Sequence, residues 1–189
     1  MITWRRIFIC LLLLALVSAL GVSAWLGYRL NRYHTFMSAA GEAYGVDPRL
    51  LSCVIWRESR FNSSAVGRAG EQGLMQVTSI VGWEWAGQHG IDSFSEHDLL
   101  DPETNIHAGA WYLATALGHW TEKEDPLPYA LAQYNAGRSN ALRWAKDDQD
   151  DPARFIDQIT YPSTHAYVTD ILKRYRGRQH LLSGRLQND

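Results

Sequence analysis

Residues 53–62 read CVIWRESRFN, an apolar helical run that ends at Glu58 and is followed at once by a polar loop. A glutamate in the last turn of a helix faces the negative end of the helix dipole. The preceding Val54, Ile55 and Trp56 supply apolar surroundings, and both effects favour the protonated carboxyl group. Glu58 is therefore a candidate general acid, although the stretch alone is more typical of a solvated glutamate at a helix end.

The residues around this stretch predict a core helix followed by a loop. Asp47 and Pro48 are typical of a helix start, because aspartate accepts hydrogen bonds from free backbone N–H groups and proline fits the first turn. Residues 50–55 then form a broad apolar face that continues to Glu58. Residues 62–73 are rich in Asn, Ser, Ala and Gly, which predicts a loop beside the acid.

The rest of the chain also predicts helices. Apolar residues recur at helical spacing, whereas a sustained alternation of apolar and polar residues and an Asn-Gly hairpin signal are both missing. We therefore predict an all-α fold. The further predicted helices cover approximately residues 32–44, 126–134, 139–147, a segment after 152, and 164–182. Another starts at Asp101-Pro102 and runs to about 120, and a short helix or turn includes Trp83 and Trp85.

Composition limits the number of domains and the kinds of ligand. The chain has 189 residues, 46% of them hydrophobic, which is enough for one well-buried domain and too few for two of ordinary size. The formal net charge of -2 gives no basic surface for nucleic acid. The seven histidines and two cysteines show no spacing typical of metal ligands. We expect no metal, no cofactor and no nucleic-acid partner.

Residues 1–24 have the pattern of an export signal. A pair of arginines precedes an uninterrupted apolar run at 7–17, and small residues with the cleavage pattern VSA at 22–24 follow. The apolar run can be extended to Leu26, which approaches the length of a membrane-spanning helix. An uncleaved anchor to about residue 27, held in the inner membrane, is the alternative.

Both interpretations export the rest of the chain to the periplasm. We predict one catalytic domain over residues 32–182, followed by a frayed tail at 183–189.

Four separated motifs carry the functional information. They are ES at 58–59, GLMQ at 73–76, NIHAGAWYL at 105–113 and AQYNAG at 132–137. In this order and spacing they resemble the soluble lytic transglycosylase family, whose motifs read E-S, G-L-M-Q, N-I-x-x-G-x-x-Y-L and A-x-Y-N-A-G. The resemblance covers about residues 39–174. It implies a lysozyme-like helical domain, similar to goose-type lysozyme, with a cleft for a glycan strand.

The resemblance also implies a reaction. The family cleaves the β-1,4 bond between N-acetylmuramic acid and N-acetylglucosamine in peptidoglycan without net addition of water. Glu58 would protonate the glycosidic oxygen and then accept the proton of the muramic 6-hydroxyl, which attacks internally and leaves a 1,6-anhydro end. Hydrolysis with two carboxylates would need a second acid, for which Glu71, Glu84 and Asp92 all remain candidates.

The family motifs assign further side chains to the cleft. The resemblance implies substrate contacts for Gln76, Tyr134, Asn135 and Tyr167, and Ser59 is expected to orient the carboxylate or the neighbouring loop.

Three other positions are ambiguous. Asn105 is expected either to cap its helix or to contact the glycan. Trp83 and Trp85 can be core residues or a platform for sugar rings.

Four positions depart from the family pattern, among them Ser63, which stands where the family has proline, and His165, which stands where it has arginine. The family has F-N-P-x-A-x-S after the acid, and its final serine, commonly drawn near the reacting hydroxyl, is Gly67 here. The family's E-T-R-x-Y-V appears as Ser163-Thr164-His165-Ala166-Tyr167-Val168, so its glutamate is Ser163. These changes leave Glu58 in place.

Three functions compete at this point. The first is a lytic transglycosylase acting on peptidoglycan strands, of the kind that opens the wall locally for secretion or conjugation machinery spanning the envelope. The second is a lysozyme-type muramidase. The third is a noncatalytic glycan-binding assembly component, which the departures from the family pattern at Gly67 and Ser163 favour.

Overall fold

A computed structural model of the chain describes the backbone of residues 4–186 and, within that span, the side chains of all but residues 6, 26, 29, 30 and 178–186. The chain divides into two compact units, Met1–Thr35 and Phe36–Asp189. The first unit contains α1 (Trp4–Arg32), whose segment Ile7–Trp25 is long and apolar enough to cross a membrane. This segment fits both the export signal and the anchor.

The second unit is helical, and the prediction of an all-α fold is confirmed. Among residues 4–186 the only β-type contacts are two isolated bridges, Val66 with Gln72 and Gln72 with Val77. A 3-10 turn at Glu96–Leu100 separates α4 from α5. The helices are α2 (His34–Tyr44), α3 (Pro48–Ser59), α4 (Ser79–Gln88), α5 (Pro102–Gly118), α6 (Leu127–Ala136), α7 (Arg138–Trp144), α8 (Pro152–Asp157) and α9 (Pro162–Leu186).

Several helix ends differ from the predicted ones. Helix α5 begins at Pro102, as the Asp101-Pro102 pair predicts, because Asp101 caps it and Pro102 fills its first turn, but it ends at Gly118 and not at 120. Helix α7 ends at Trp144, before the predicted 147. Helix α9 continues to Leu186, while residues 187–189 of the predicted frayed tail lie outside the described residues.

Helix α3 is the core helix that carries Glu58. Asp47 caps it by accepting a hydrogen bond from the Arg49 N–H, as predicted. Six consecutive residues of α3, from Leu50 to Ile55, are buried, and the helix packs against α9. Arg60 ends α3 in the left-handed conformation (φ 51°), so the chain turns sharply just after Glu58 and Ser59.

The loop after α3 folds back beside it. Its centre is held by paired backbone hydrogen bonds of 2.9 Å between Gln72 and Val77, and by a 2.8 Å bond from Gly73 N–H to the Ala65 carbonyl. Leu74 and Met75 are completely buried. The GLMQ segment is therefore a loop with two core anchors, and the following Gln76 stays at the surface of the cleft.

Asn105 ties this loop to α5, and both sequence-based expectations for it are wrong. Its side chain is completely buried and accepts a 2.8 Å hydrogen bond from Met75 N–H. Its amide group donates 2.8 Å hydrogen bonds to the carbonyls of Gln72 and Leu99. The residue therefore neither caps α5 nor faces a glycan, because backbone groups of two loops occupy all of these interactions.

Two glycines allow this close approach. A Cβ atom at Gly73 would lie 2.3 Å from the Asn105 amide nitrogen, and the backbone there has φ +75°, which favours glycine. A Cβ atom at Gly109 would lie 2.6 Å from the sulfur of Met75. The loop can thus lie directly on α5.

Replacing Asn105 with Ala should destabilise the protein, because it removes three hydrogen bonds between a completely buried side chain and the backbone. We expect a loss of about 3 kcal/mol in the free energy of unfolding, or roughly 10 °C in melting temperature. Chemical denaturation and calorimetry measure both quantities. Gln88→Ala, at an exposed amide side chain in the last residue of α4, is the matched control and should change the free energy of unfolding by less than about 0.5 kcal/mol.

Candidate active site

Two adjoining cavities form one cleft beside the end of α3. The first has a volume of about 220 Å³ and is lined by Glu58, Glu71, Gln76, Thr78, Tyr134 and Asn135. The second, of about 230 Å³, shares four of these residues and adds Val77, Val81, Tyr112 and Gly137. The cleft therefore brings together residues from α3, the loop, α4, α5 and α6 that lie far apart in sequence.

Glu58 is half-buried in this cleft, and its pKa is raised from 4.5 to about 7. The largest cause is burial, which penalises the charged carboxylate. The Tyr167 hydroxyl and the Arg57 charge oppose the shift, and the negative charge of Glu71 adds to it. The group is thus able to hold a proton near neutral pH, which a general acid requires.

Tyr167 lies beside Glu58 without opening to the cleft. Its side chain is 1% exposed, and its hydroxyl makes no hydrogen bond of ordinary length and angle to another described residue. It is nevertheless close enough to Glu58 to lower the carboxyl pKa, while the Glu58 charge and burial raise the pKa of Tyr167. Tyr167 can therefore interact with the Glu58 carboxyl group, but almost none of the Tyr167 surface is accessible to a sugar.

Arg57 is the nearest positive charge to this pair. Its guanidinium group stands 5.5 Å from the centre of the Tyr167 ring. Its Nε atom is 3.9 Å from the Asp170 carboxylate, which shares its charge. This pairing moderates the effect of Arg57 on Glu58, so that burial dominates.

Tyr134 forms part of the wall opposite the loop. Its hydroxyl donates a 2.9 Å hydrogen bond to the Met75 carbonyl, so it joins α6 to the GLMQ loop. Its ring lies 5.3 Å from the ring of Tyr112, tilted by 50°. Burial, with a contribution from the Glu58 charge, raises the pKa of Tyr134 well above its ordinary value. Tyr134 remains neutral and presents an aromatic edge to both cavities.

Gln76 is fixed at the floor of the cleft. Its backbone has φ 49°, a left-handed conformation uncommon outside glycine and often found at functional sites. Its side-chain nitrogen donates to the carbonyls of Ala65 at 3.2 Å and Gly73 at 2.9 Å. The amide oxygen is consequently the atom left to face a ligand.

The other two predicted residues hold the walls in place. Ser59 donates a 2.8 Å hydrogen bond to the Leu74 carbonyl and does not line either cavity, so it orients the loop. Asn135 is exposed, lines both cavities, and accepts a 2.8 Å hydrogen bond from Thr164. The structure brings Glu58, Gln76, Tyr134 and Asn135 together at the cleft surface.

Besides the apolar Val77 and Val81, sequence reasoning missed two hydroxyl-bearing lining residues and left a third residue open. Thr78 lines both cavities and also caps α4, which its type and position after GLMQ could have indicated. Tyr112 also lines a cavity, but no role was predicted for it although it lies within the NIHAGAWYL motif. Of the three candidate second acids, Glu71 lines the cavity that contains Glu58, whereas Glu84 and Asp92 do not.

The two ambiguous tryptophans lie away from the cleft. Trp85 is 7% exposed and belongs to the core, and Trp83 is 49% exposed with its ring edge against Phe94. Neither lines the two cavities around Tyr134. Among the described residues, no group of three or more His, Cys, Asp and Glu side chains could hold a metal ion.

Comparison with known proteins finds a matching family model and similar proteins. The family model described as the transglycosylase SLT domain matches residues 35–155. The membrane-bound lytic murein transglycosylase F of Desulfosudis oleivorans is 35% identical over 133 residues, which is 67% of this chain and 27% of that protein. The membrane-bound lytic murein transglycosylase C of Cronobacter sakazakii is 30% identical over 161 residues, 81% of this chain and 44% of that protein.

A solved structure has the same fold. The lytic transglycosylase Slt of Pseudomonas aeruginosa, crystallised as an inactive mutant, superimposes with a TM-score of 0.71 at 25% identity. The match covers 79% of this chain and 24% of that one. The chain therefore spans about a quarter to just under half of the length of these proteins.

Glu58→Gln should stabilise the protein at alkaline pH. The folded state binds the Glu58 proton more tightly than the unfolded chain, so stability is lost as pH rises from about 4.5 to about 7. The cost, on the order of 3 kcal/mol, is fully present above that range. The free energy of unfolding of the variant relative to the natural protein should therefore rise between about pH 4 and pH 8. Denaturant titrations at both pH values measure this change.

The control is Glu42→Gln, at an exposed glutamate on α2. Its stability relative to the natural protein should not vary with pH over the same interval. A Glu58→Gln variant that behaves in the same way would show that the carboxyl group is not held protonated by folding.

Proposed function

Because this chain belongs to the transglycosylase SLT family, we propose that it is a lytic transglycosylase of peptidoglycan. It cleaves the β-1,4 bond between N-acetylmuramic acid and N-acetylglucosamine and leaves a 1,6-anhydro end. The observation that carries the proposal is Glu58, a carboxyl group with its pKa raised to about 7 in an open cleft. A protonated carboxyl group at neutral pH is what the first step of glycoside cleavage needs.

The reaction uses one acid twice. Glu58 donates its proton to the glycosidic oxygen, and the bond from that oxygen to the anomeric carbon breaks. The N-acetyl oxygen of the sugar stabilises the positive anomeric carbon. The muramic 6-hydroxyl then attacks this carbon and returns its proton to Glu58, so the acid is regenerated and no water is consumed.

The neighbours of Glu58 support substrate binding. The Tyr134 ring and hydroxyl suit a sugar ring and its N-acetyl group, and the Gln76 amide oxygen suits a hydroxyl. Asn135 offers an amide at the edge of both cavities. Tyr167 and Ser59 serve as positioning residues, Tyr167 through the Glu58 carboxyl group and Ser59 through the loop.

The proposed place of action is the periplasm. The apolar segment Ile7–Trp25 supports export or anchoring, and peptidoglycan is the partner implied by the family. Local wall opening for an envelope-spanning secretion or conjugation apparatus is the finer part of this proposal and rests on the family resemblance. A strain with Glu58→Gln that retains full secretion and conjugation would remove that part.

Hydrolysis is the second candidate function. Glu71 lines the same cavity as Glu58, and two carboxylates in one cleft are the arrangement of hydrolytic glycosidases. The products separate the two functions, because a 1,6-anhydro end is lighter than a reducing end by one water.

Glu58→Gln should abolish glycan cleavage, since glutamine cannot donate the required proton. We expect a fall in rate on the order of 1000-fold or more. Purified peptidoglycan is digested with both proteins, and the released muropeptides are analysed by mass spectrometry. The natural protein should give 1,6-anhydro ends.

Binding to insoluble peptidoglycan provides the control, because Glu58→Gln should still sediment with it. Predominantly reducing ends from the natural protein would favour the hydrolase. Unchanged cleavage by Glu58→Gln would show that Glu58 is not the acid, and binding without any cleavage by the natural protein would leave only a noncatalytic glycan-binding role.

Activity should decrease as pH rises through about 7, because the reaction starts from protonated Glu58. Tyr167→Phe should move this decrease to higher pH, since the hydroxyl that lowers the Glu58 pKa is removed. The dependence of kcat/KM on pH measures both effects. Tyr161→Phe, at a partly exposed tyrosine away from Glu58, should leave the profile unchanged.

A further inference from the structure

The space that a side chain at position 67 would need is occupied by neighbouring side chains. Gly67 is not among the glycines with positive φ, so an L-residue could adopt its conformation. A Cβ atom there would lie 2.2 Å from the Glu71 carboxylate oxygen Oε2 and 2.9 Å from the Gln76 amide oxygen Oε1. The space of the missing side chain is thus taken by two acceptor atoms of the cleft.

Glu71 is held in this position by the loop. Its Oε2 atom accepts a 3.1 Å hydrogen bond from Ala69 N–H, and its own carbonyl accepts a 2.7 Å bond from Gly67 N–H. The side chain therefore folds back over Gly67 and lines the cavity that contains Glu58.

Gln76 directs a second acceptor atom, its amide oxygen, toward Gly67. Its side-chain nitrogen is used by the carbonyls of Ala65 and Gly73, which fixes the amide with the oxygen toward Gly67. Two acceptors that face the same cavity can share a donor placed between them. In a glycan cleft, a hydroxyl group is the donor of suitable size.

We propose that Glu71 and the amide oxygen of Gln76 together bind and orient the hydroxyl that attacks the anomeric carbon, and that Gly67 admits Glu71 to this position. The inference rests on the proposed function, in which that hydroxyl is the muramic 6-hydroxyl. In the bound substrate the hydroxyl would donate its single proton to a hydrogen bond shared by these two acceptors. Once Glu58 has given its own proton to the leaving oxygen, the O–H bond turns toward the Glu58 carboxylate, and the proton passes to it as the carbon–oxygen bond forms. Family members with serine at the position of Gly67 would have to arrange this contact differently.

The charges around Glu58 make Glu71 detectable apart from its contact with the hydroxyl. Arg57 from α3 and Tyr167 from α9 lower the Glu58 pKa, whereas Glu71 from the loop raises it. Tyr134 from α6 also faces the carboxyl group and is neutral. Loss of the Glu71 charge should therefore move the decline in activity to lower pH, which a purely structural residue would not do.

The test combines Glu71→Gln, Gly67→Ala and the double variant. At about pH 5, where Glu58 is protonated in all of them, Glu71→Gln should lower kcat roughly 10- to 100-fold with little change in KM. Gly67→Ala should have a similar effect, because its Cβ atom displaces the carboxylate. The double variant should be no worse than Glu71→Gln, since both changes remove the same contact.

Matched controls are Glu42→Gln and Gly118→Ala, whose Cβ atom meets nothing within 4 Å. Both should keep the natural kcat, and melting temperatures show that each variant is folded. Unchanged kcat in Glu71→Gln would overturn the inference, as would additive losses in the double variant. A natural protein that releases no anhydro ends would instead overturn the proposed function, so the two failures are distinguishable.

Discussion

The buried side chain of Asn105 is the interaction on which the cleft depends. One residue of α5 binds the Met75 N–H and the carbonyls of Gln72 and Leu99 through a completely buried side chain. The loop is thereby pressed onto α5, with Leu74 and Met75 in the core. Gln76, Thr78 and the carbonyl that receives the Tyr134 hydroxyl all take their positions from this contact.

Glu58 shows how a site can oppose the stability of its own fold. The carboxyl group lies at the end of a core helix, among groups that remove it from water, and its charged form is penalised there. The same penalty keeps the proton available near neutral pH. Packing of α3 against α9 supplies the burial, so the large hydrophobic core sustains a locally unfavourable carboxyl group.

The departure at Gly67 acquires a meaning from its surroundings. In the sequence, Gly67 only replaces the serine of the family motif, and this replacement suggests a weakened site. In the structure, the absence of a side chain at Gly67 leaves room for the Glu71 carboxylate to reach the cleft. It lies beside Gln76, whose side-chain nitrogen is already hydrogen-bonded to two carbonyls. Glu71 thus brings a polar side chain to the place of the missing serine, and its charge adds a minor contribution to the raised pKa of Glu58, which is due mainly to burial.

The sequence by itself determined the helices, the cap at Asp47, the loop after Glu58 and the family, because these follow from local spacing and from short motifs. It could not determine the role of Asn105, since its partners are 6, 30 and 33 residues away along the chain. It also could not choose Glu71 over Glu84 and Asp92. Only the tertiary structure decided these points, because burial and convergence of polar atoms arise from packing between distant segments, which no local pattern records.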